Sequence, residues 1–457
     1  MLTYELKKSP GVPLYEALYR CIRQDILTGK LKAGEKLPSK RALSAHLEVS
    51  KITVEAAYNQ LAAEGYISAR EKVGYFVEAV DAVSQSTRQA DPPVISSRPQ
   101  DPTLLDLTAN TPAKFPFTVW SRLQRQTLLD FGSNLLEPVP HQGVSALRQA
   151  IADHLAGFRG MQVDPENIVI GAGTDFLYNL LLQLLGQDKI YALEEPGYGK
   201  IRRIYDAAGA KSIPAPMDSQ GVIPEAIGAA DVLHISPSHH FPTGLITPMQ
   251  RRQALLRWAS EGEKWIIEDD YDSEFRFDTH PMSAMYSPAG SGRVIYMNSF
   301  SKSLAPSIRI GYMVLPHQLM AQFRERLGFY SCTVSGFEQH TLARFLSQGH
   351  FEKHINRMRK FYRSRRNRVL EILKNCRWAD QLTIEEADAG LHFLVQVDTD
   401  LSDEMLERFC GEKGLRVRCL SRYYDGTPPR ESLHKIVVNY SGLRDEDLDK
   451  LAEILGR

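Results

Sequence analysis

Apolar residues recur every four positions at Leu14, Leu18, Ile22 and Ile26, the spacing of a helix with one buried stripe. The stretch "TGKLKAGEKLPS" breaks that helix with glycine and proline, and "KRALSAHL" predicts a second, shorter one. After a turn at Glu48–Val49, Ser50 can cap a third helix whose inner face carries Val54, Ala57, Tyr58 and Leu61. "GYISAREKVGYFVEA" alternates about a turn at 70–74, the period-two signature of a small hairpin. Helix, helix-turn-helix and hairpin together predict a winged helix-turn-helix over 1–78. Residues 79–103 are polar and proline-rich without periodicity, which predicts a linker. From 104 to 457 short apolar runs alternate with helical patterns, as βα units around a mostly parallel sheet do.

Length and composition agree with this division. A chain of 457 residues exceeds one ordinary core, and 43% hydrophobic with 24% charged residues fits a globular protein. No apolar run approaches a membrane span and the start has no signal-peptide core, so a cytoplasmic protein is expected. The five cysteines, 21, 332, 376, 410 and 419, lack paired metal-ligand spacing and read as reduced thiols. Net charge is zero, but residues 1–78 hold 12 Lys and Arg against 9 Asp and Glu. That surplus is too slight to decide anything alone.

The first segment carries chemistry suited to DNA. Its third helix begins with Ser50, Lys51 and Thr53, short polar and basic groups at the end that would enter a major groove. The hairpin tip holds Arg70, Lys72 and Gly74, fit for phosphate or minor-groove contact. The stretch "LPSKRALSAHLEVSKITVEAAYNQLAAEGYISAREKVGYFV" resembles the GntR-family DNA-binding domain. That resemblance implies a double-stranded DNA operator as partner and adds Ser39 and Arg41 to the candidate contacts. Lys51 stands where the family usually has arginine, and the wing reads Lys72-Val73-Gly74 rather than Gly-x-Gly.

In the second segment five apolar runs end in polar or glycine-rich turns: "NIVI" into "GAGTDF", "KIYAL" into "EEPGYG", "DVLHI" into "SPSHHFPTG", "WII" into "EDDYDSEF" and "VIYM" into "NSFSK". Ligands of open parallel sheets bind outside the carboxyl ends of the strands, so these turns converge on one crevice. A helix N-terminus after Gly171-Ala172-Gly173-Thr174 offers free N–H groups to a phosphate, and Ser299, Ser301 and Arg309 add donors. Asp269 can hold a protonated pyridine nitrogen, and the Lys302 amine can form a Schiff base with an aldehyde. Together they describe pyridoxal 5′-phosphate (PLP).

That order and spacing resembles fold-type I aminotransferases over about 104–457. The resemblance implies the α/β PLP-dependent transferase fold with a small C-terminal α+β subdomain. It makes Lys302 the Schiff-base lysine, Asp269 the pyridine-nitrogen partner and Tyr271 the hydroxyl on the cofactor's phenolic oxygen. Ser299, Ser301, Arg309, Thr174 and Asp175 become phosphate ligands, and Tyr198 the stacking aromatic. A GntR reader, a linker and such a domain resemble the MocR subfamily of bacterial transcription regulators. "IIEDDYDSEF", "FSKSLAPSIRIGYMVLP" and "AGLHF" are especially similar to its GABA-responsive member from bacilli.

The subfamily implies a head-to-tail homodimer and a small amino-compound effector. Gly442 stands where the carboxylate-clamping arginine is usual, and Lys200 where a second arginine is. Arg444, Lys200, Arg202 and Arg203 are the basic residues near enough in sequence to compensate, and Lys200 and Arg444 are the candidate effector contacts. Phe241 replaces the asparagine of the usual Asn-Pro-Thr-Gly, with His239 and His240 as neighbours. These departures favour a sensor of another amino compound, or of PLP itself, over turnover. The alternative is an active aminotransferase with an appended DNA-binding domain. A third reading makes the large domain only a dimerisation scaffold.

Overall fold

The computed structural model describes residues 2–4, 13–70, 73–79, 104–109, 114–277, 283–287, 292–385 and 390–456. Lys72, residues 80–103 of the expected linker, and Ala389 of "AGLHF" lie outside them. Two compact units divide the chain at Met1–Gln100 and Asp101–Arg457.

In the smaller unit three helices, α1 (Leu14–Leu27), α2 (Lys40–His46) and α3 (Lys51–Ala63), precede strands β1 (Ile67–Arg70) and β2 (Gly74–Val77). The four-residue stripe is the core: Leu18 and Ile22 are fully buried against Val54, Ala57, Tyr58 and Leu61. Each helix of the pair is capped by the serine before it. Ser39 accepts from the Ala42 N–H at 3.1 Å and Ser50 from that of Thr53 at 3.0 Å, removing orphan donors from the first turns. The Tyr58 hydroxyl donates to the Pro38 carbonyl at 2.9 Å, tying α3 to the entry of α2. The antiparallel hairpin pairs Ile67 with Val77 and Arg70 with Gly74.

The larger unit is built on an eight-stranded sheet. Its order is Ile168–Gly171, Gly311–Val314, Val294–Ser299, Trp265–Asp269, Val232–Ile235, Ile190–Glu195, Lys211–Asp218 and Gly221–Val222. The five apolar runs are five of these strands, mutually parallel; Gly311–Val314 and Gly221–Val222 run against their neighbours. Continuous runs form because helices cover both faces. Val169, Val232, Ile267 and Ile295 pack with helices Thr174–Leu185 and His317–Leu327 on one face. Ile168, Ile170, Leu233 and Ile266 pack on the other with Ser145–Arg159 and Gly336–Ser347. A smaller antiparallel sheet of Leu382–Glu385, His392–Val397 and Lys435–Asn439, with helices Asp403–Glu412 and Asp445–Gly456, forms the expected C-terminal α+β subdomain. The carboxyl ends of the parallel strands therefore open on one edge, which positions the site.

The turn between α2 and α3 holds Glu48 at φ +53°, a left-handed conformation that L side chains resist. Glu48→Gly should stabilise this unit by up to about 1 kcal/mol and Glu48→Val should destabilise it by roughly 1–2 kcal/mol. Native-state hydrogen exchange of α2 and α3 amides in the full chain reads the difference.

Candidate functional site

In the smaller unit the N-terminus of α3 stands open. Arg41, Ser50, Lys51 and Ile52 are exposed, Ile52 at 77%, while Lys40 beside them is held by Glu55 at 2.7 Å. The other large apolar residues of that helix, Val54, Tyr58 and Leu61, are buried. Ser39 is also exposed though its hydroxyl caps α2. At the hairpin Arg70 lies over the Phe76 ring at 4.4 Å and Gly74 takes φ +132°.

In the larger unit the strand ends bring several predicted residues together. Arg309, itself left-handed at φ +49°, turns its guanidinium onto the helix start: Nη2 donates to the Ala172 carbonyl at 3.1 Å and lies 3.4 Å from Asp175 Oδ2. A Cβ on Gly173, at φ +82°, would come within 2.6 Å of that guanidinium, so only glycine leaves room there. Lys200 Nζ meets the same Asp175 oxygen at 2.6 Å. Asp175 thus gathers two cations at a helix N-terminus, an arrangement that attracts anions. Ser299 is buried and Ser301 half-buried.

Asp269 ends its strand almost fully buried. One carboxylate oxygen accepts from the Tyr178 hydroxyl and lies 3.6 Å from His234 Nε2. The other, Oδ1, is buried with no partner among the described residues. A buried charged oxygen without a donor is costly, and a protonated ring nitrogen is the donor that would satisfy it. The residues present therefore fit the cofactor that the sequence suggests. No hydrogen bond or ion pair holds the Lys302 amine among the described residues. Burial pushes its pKa down to about 8 against the opposing pull of Asp272. Tyr271 reaches His239 Nδ1 at 3.2 Å.

Other expected residues stand differently. Tyr198 is 51% exposed, at the start of helix Gly199–Ala207, with its ring edge-on to Phe241 at 5.8 Å. Arg444 lies on the surface paired with Asp447 at 3.2 Å. The side chains of Tyr178, His234, Asp272 and His392 escaped sequence reasoning. Asp272 lies inside the quoted "EDDYDSEF" and His392 inside "AGLHF", but a lone carboxylate or imidazole carries no signal until the fold supplies its partner.

Residues 14–77 match the family of bacterial regulatory proteins, gntR family. The chain is 35% identical to the probable rhizopine catabolism regulatory protein MocR of Rhizobium meliloti, over 96% of this chain and 92% of that one. It is 34% identical to the HTH-type transcriptional regulator YdeL of Bacillus subtilis, over 98% and 97%. The chain belongs to the MocR-type GntR regulators. A third relative, at 32% over 95% and 93%, is the HTH-type pyridoxine biosynthesis transcriptional regulator PdxR of Corynebacterium glutamicum. Among solved structures, a kynurenine aminotransferase of Pyrococcus horikoshii superposes with a TM-score of 0.66 at 24% identity, over 78% of this chain and 89% of that one. A multiple substrate aminotransferase of Thermococcus profundus gives 0.68 at 20%, over 78% and 91%. This MocR-type chain is thus a transcriptional regulator with an aminotransferase-like fold, the fold of PLP-dependent enzymes. Among the described residues, no helix is long and apolar enough to cross a membrane.

The depressed Lys302 pKa sets a reactivity test. With folded protein free of cofactor, the neutral amine becomes available as pH rises through about 8 rather than the ordinary 10.5. A limiting amine-acylating reagent should label Lys302 in preference to surface lysines between about pH 7.5 and 9, its rate levelling where theirs still climbs. Peptide mass spectrometry across the pH series checks it.

Proposed function

We propose that this regulator holds PLP at the carboxyl edge of its large sheet and uses it to sense a small amino compound. The carrying observation is the unpartnered buried oxygen of Asp269, which suits a ring nitrogen that keeps its proton. PLP, when bound, supplies an aldehyde that condenses reversibly with primary amines. In this reading Asp269 orients the ring and stabilises its pyridinium proton. The amine of Lys302, already largely desolvated and easily deprotonated, is the covalent anchor that an incoming amine must displace. Arg309 and the N–H groups of Thr174 and Asp175 hold the phosphate, with Ser299 and Ser301 as further donors. Tyr198 folds over the ring and Tyr271 holds the phenolic oxygen.

The effector is an amino compound that reaches Lys302, with Lys200 near the phosphate end as its basic contact; Arg444, paired at the surface, contributes less. Gly442 leaves the effector's carboxylate without a buried guanidinium, so we infer sensing rather than transamination and an effector other than GABA. Effector binding changes the balance between two states of a homodimer of head-to-tail protomers. Ser39, Arg41, Ser50, Lys51, Thr53, Lys72 and Gly74 contact a double-stranded operator, Lys51 and Lys72 chiefly through phosphates.

Purified protein should be yellow with PLP, and Lys302→Ala should lack the band of the lysine-anchored cofactor while still binding PLP weakly. A wild type that stays colourless at high PLP would overturn the cofactor reading, and net keto-acid formation from an amino donor would replace sensing with turnover. Arg309→Ala should weaken PLP binding by about 1.5–3 kcal/mol, roughly 10- to 150-fold, with the loss concentrated in the phosphate, so that pyridoxal without phosphate is little affected. Spectrophotometric titration with both ligands measures it.

A further inference from the structure

Beside the proposed cofactor site lies a group of buried side chains whose role is still open. His239, Asp272 and His392 are 4%, 2% and 1% exposed. His239 Nδ1 lies 2.9 and 3.1 Å from the two oxygens of Asp272 and 3.2 Å from the Tyr271 hydroxyl. An imidazole N–H can be shared between a carboxylate and a phenolic oxygen as acceptors. Tyr271 then accepts from His239 and keeps its own O–H free to donate elsewhere.

The ring of His239 is packed against two neighbours. A Cβ on Gly390, at φ +71°, would lie 1.8 Å from His239 Cε1, so the ring packs directly on a glycine backbone. The His392 ring lies 4.8 Å away on another side. His240 cannot take over the role: it is bonded to Thr243 Oγ1 at 2.7 Å, and burial pushes its pKa down to about 3. The ligand atoms of His239, Asp272 and His392 come within 4.8 Å of one another, as metal ligands would. A metal on Nδ1, however, would have to displace both Asp272 and Tyr271 from the nitrogen they already share.

We propose that Asp272 and His239 form a positioning pair: Asp272 holds the His239 imidazole, and His239 fixes the Tyr271 hydroxyl toward the bound cofactor. This inference rests on the PLP reading given above. Two opposite electrostatic effects follow. The negative charge of Asp272 favours the protonated nitrogen at Lys302, as its upward pull on the Lys302 pKa indicates. A fixed Tyr271 hydroxyl donating to the cofactor's phenolic oxygen favours the state with more negative charge there, the deprotonated one. The other charged or titratable groups around Tyr271 are Asp269, Asp270 and Glu194, and those around His392 are His239, His240 and Lys302. All except His239 itself stay in place in the variants below.

The test is the pH midpoint of the visible band of PLP-loaded full-length protein. Asp272→Asn keeps an acceptor for His239 and removes only the charge, so the midpoint should fall by about one unit, tenfold in proton affinity. His239→Leu frees Tyr271, so the midpoint should rise by roughly the same amount. His239→Asn, whose amide N–H reaches toward the same acceptors, should restore the midpoint most of the way to wild type. Yellow Asp272→Asn and His239→Asn proteins establish that the site still folds if the leucine variant does not. Variants that are yellow with midpoints within about 0.2 unit of wild type overturn the pair alone. A wild type that never turns yellow overturns the cofactor reading, and this inference with it.

Discussion

Buried negative charge at the carboxyl edge of the large sheet is the constraint around which this site is arranged. Glu268, Asp269, Asp270, Asp272 and Glu274 follow one another within seven residues, each 5% exposed or less, and Glu194 lies near the end of strand Ile190–Glu195, one strand beyond the neighbouring one in the sheet, with its side chain 10% exposed. Bare carboxylates in such a place would cost several kcal/mol each. Each is answered separately. Asp270 takes the Arg159 guanidinium and the Tyr296 hydroxyl, the latter at 2.6 Å. Glu268 accepts the N–H groups of Met285 and Tyr286 at 2.9 and 3.0 Å, and Asp272 takes His239. Glu194 and Glu274 are pushed up to about 8 by burial and the neighbouring acids, and so are mostly protonated at neutral pH. Asp269 and Asp270 each keep one buried oxygen without a donor among the described residues. Asp270 is already paired with the Arg159 guanidinium, whereas Asp269 has only a tyrosine hydroxyl and an imidazole beside it, which leaves it the stronger demand for a cation.

The same edge explains why the strands carry their chemistry where they do. Each of the five strands read from the sequence is apolar until its last residues because helices cover both faces, and polar groups are tolerated there only where the sheet ends. Arg309 shows the local cost: a non-glycine residue adopts the left-handed region so that its side chain can turn back across Gly173. The strand that follows it, Gly311–Val314, runs antiparallel between two parallel partners, which brings the turn at 299–310 against the N-terminus of helix Thr174–Leu185.

The sequence revealed what periodicity and punctuation encode. The stripe at Leu18, Ile22 and Ile26, the serine caps and the five strands with their polar ends are local patterns, and they correspond directly to the fold. The meeting of Arg309 with Asp175 and the Gly173 turn was also legible, because strand-end placement follows from topology. What sequence could not supply were pairings across long separations. Tyr178 lies 91 residues from the carboxylate it serves, and Gly390 is held to glycine both by its φ of +71° and by the His239 ring packed on it. Arg444 shows the opposite failure: closeness in sequence to Gly442 suggested compensation, whereas an acidic neighbour one turn on holds it at the surface.

Phe241 draws these threads together. Where an amide would have offered polar contact, the structure has a ring packed edge-on against Tyr198, His392 and Tyr423, at 5.8, 5.0 and 5.4 Å. That wall is built of aromatic rings, and it and Gly442 stand where the family resemblance implies polar substrate contacts. Rapid turnover needs groups that bind the transition state more tightly than the bound ligand. A sensor needs only a ligand whose affinity differs between two states of the protein. In the proposed sensor, a crevice that keeps Asp269, Lys302 and Arg309 and packs aromatic rings at Phe241 meets the second requirement more readily than the first.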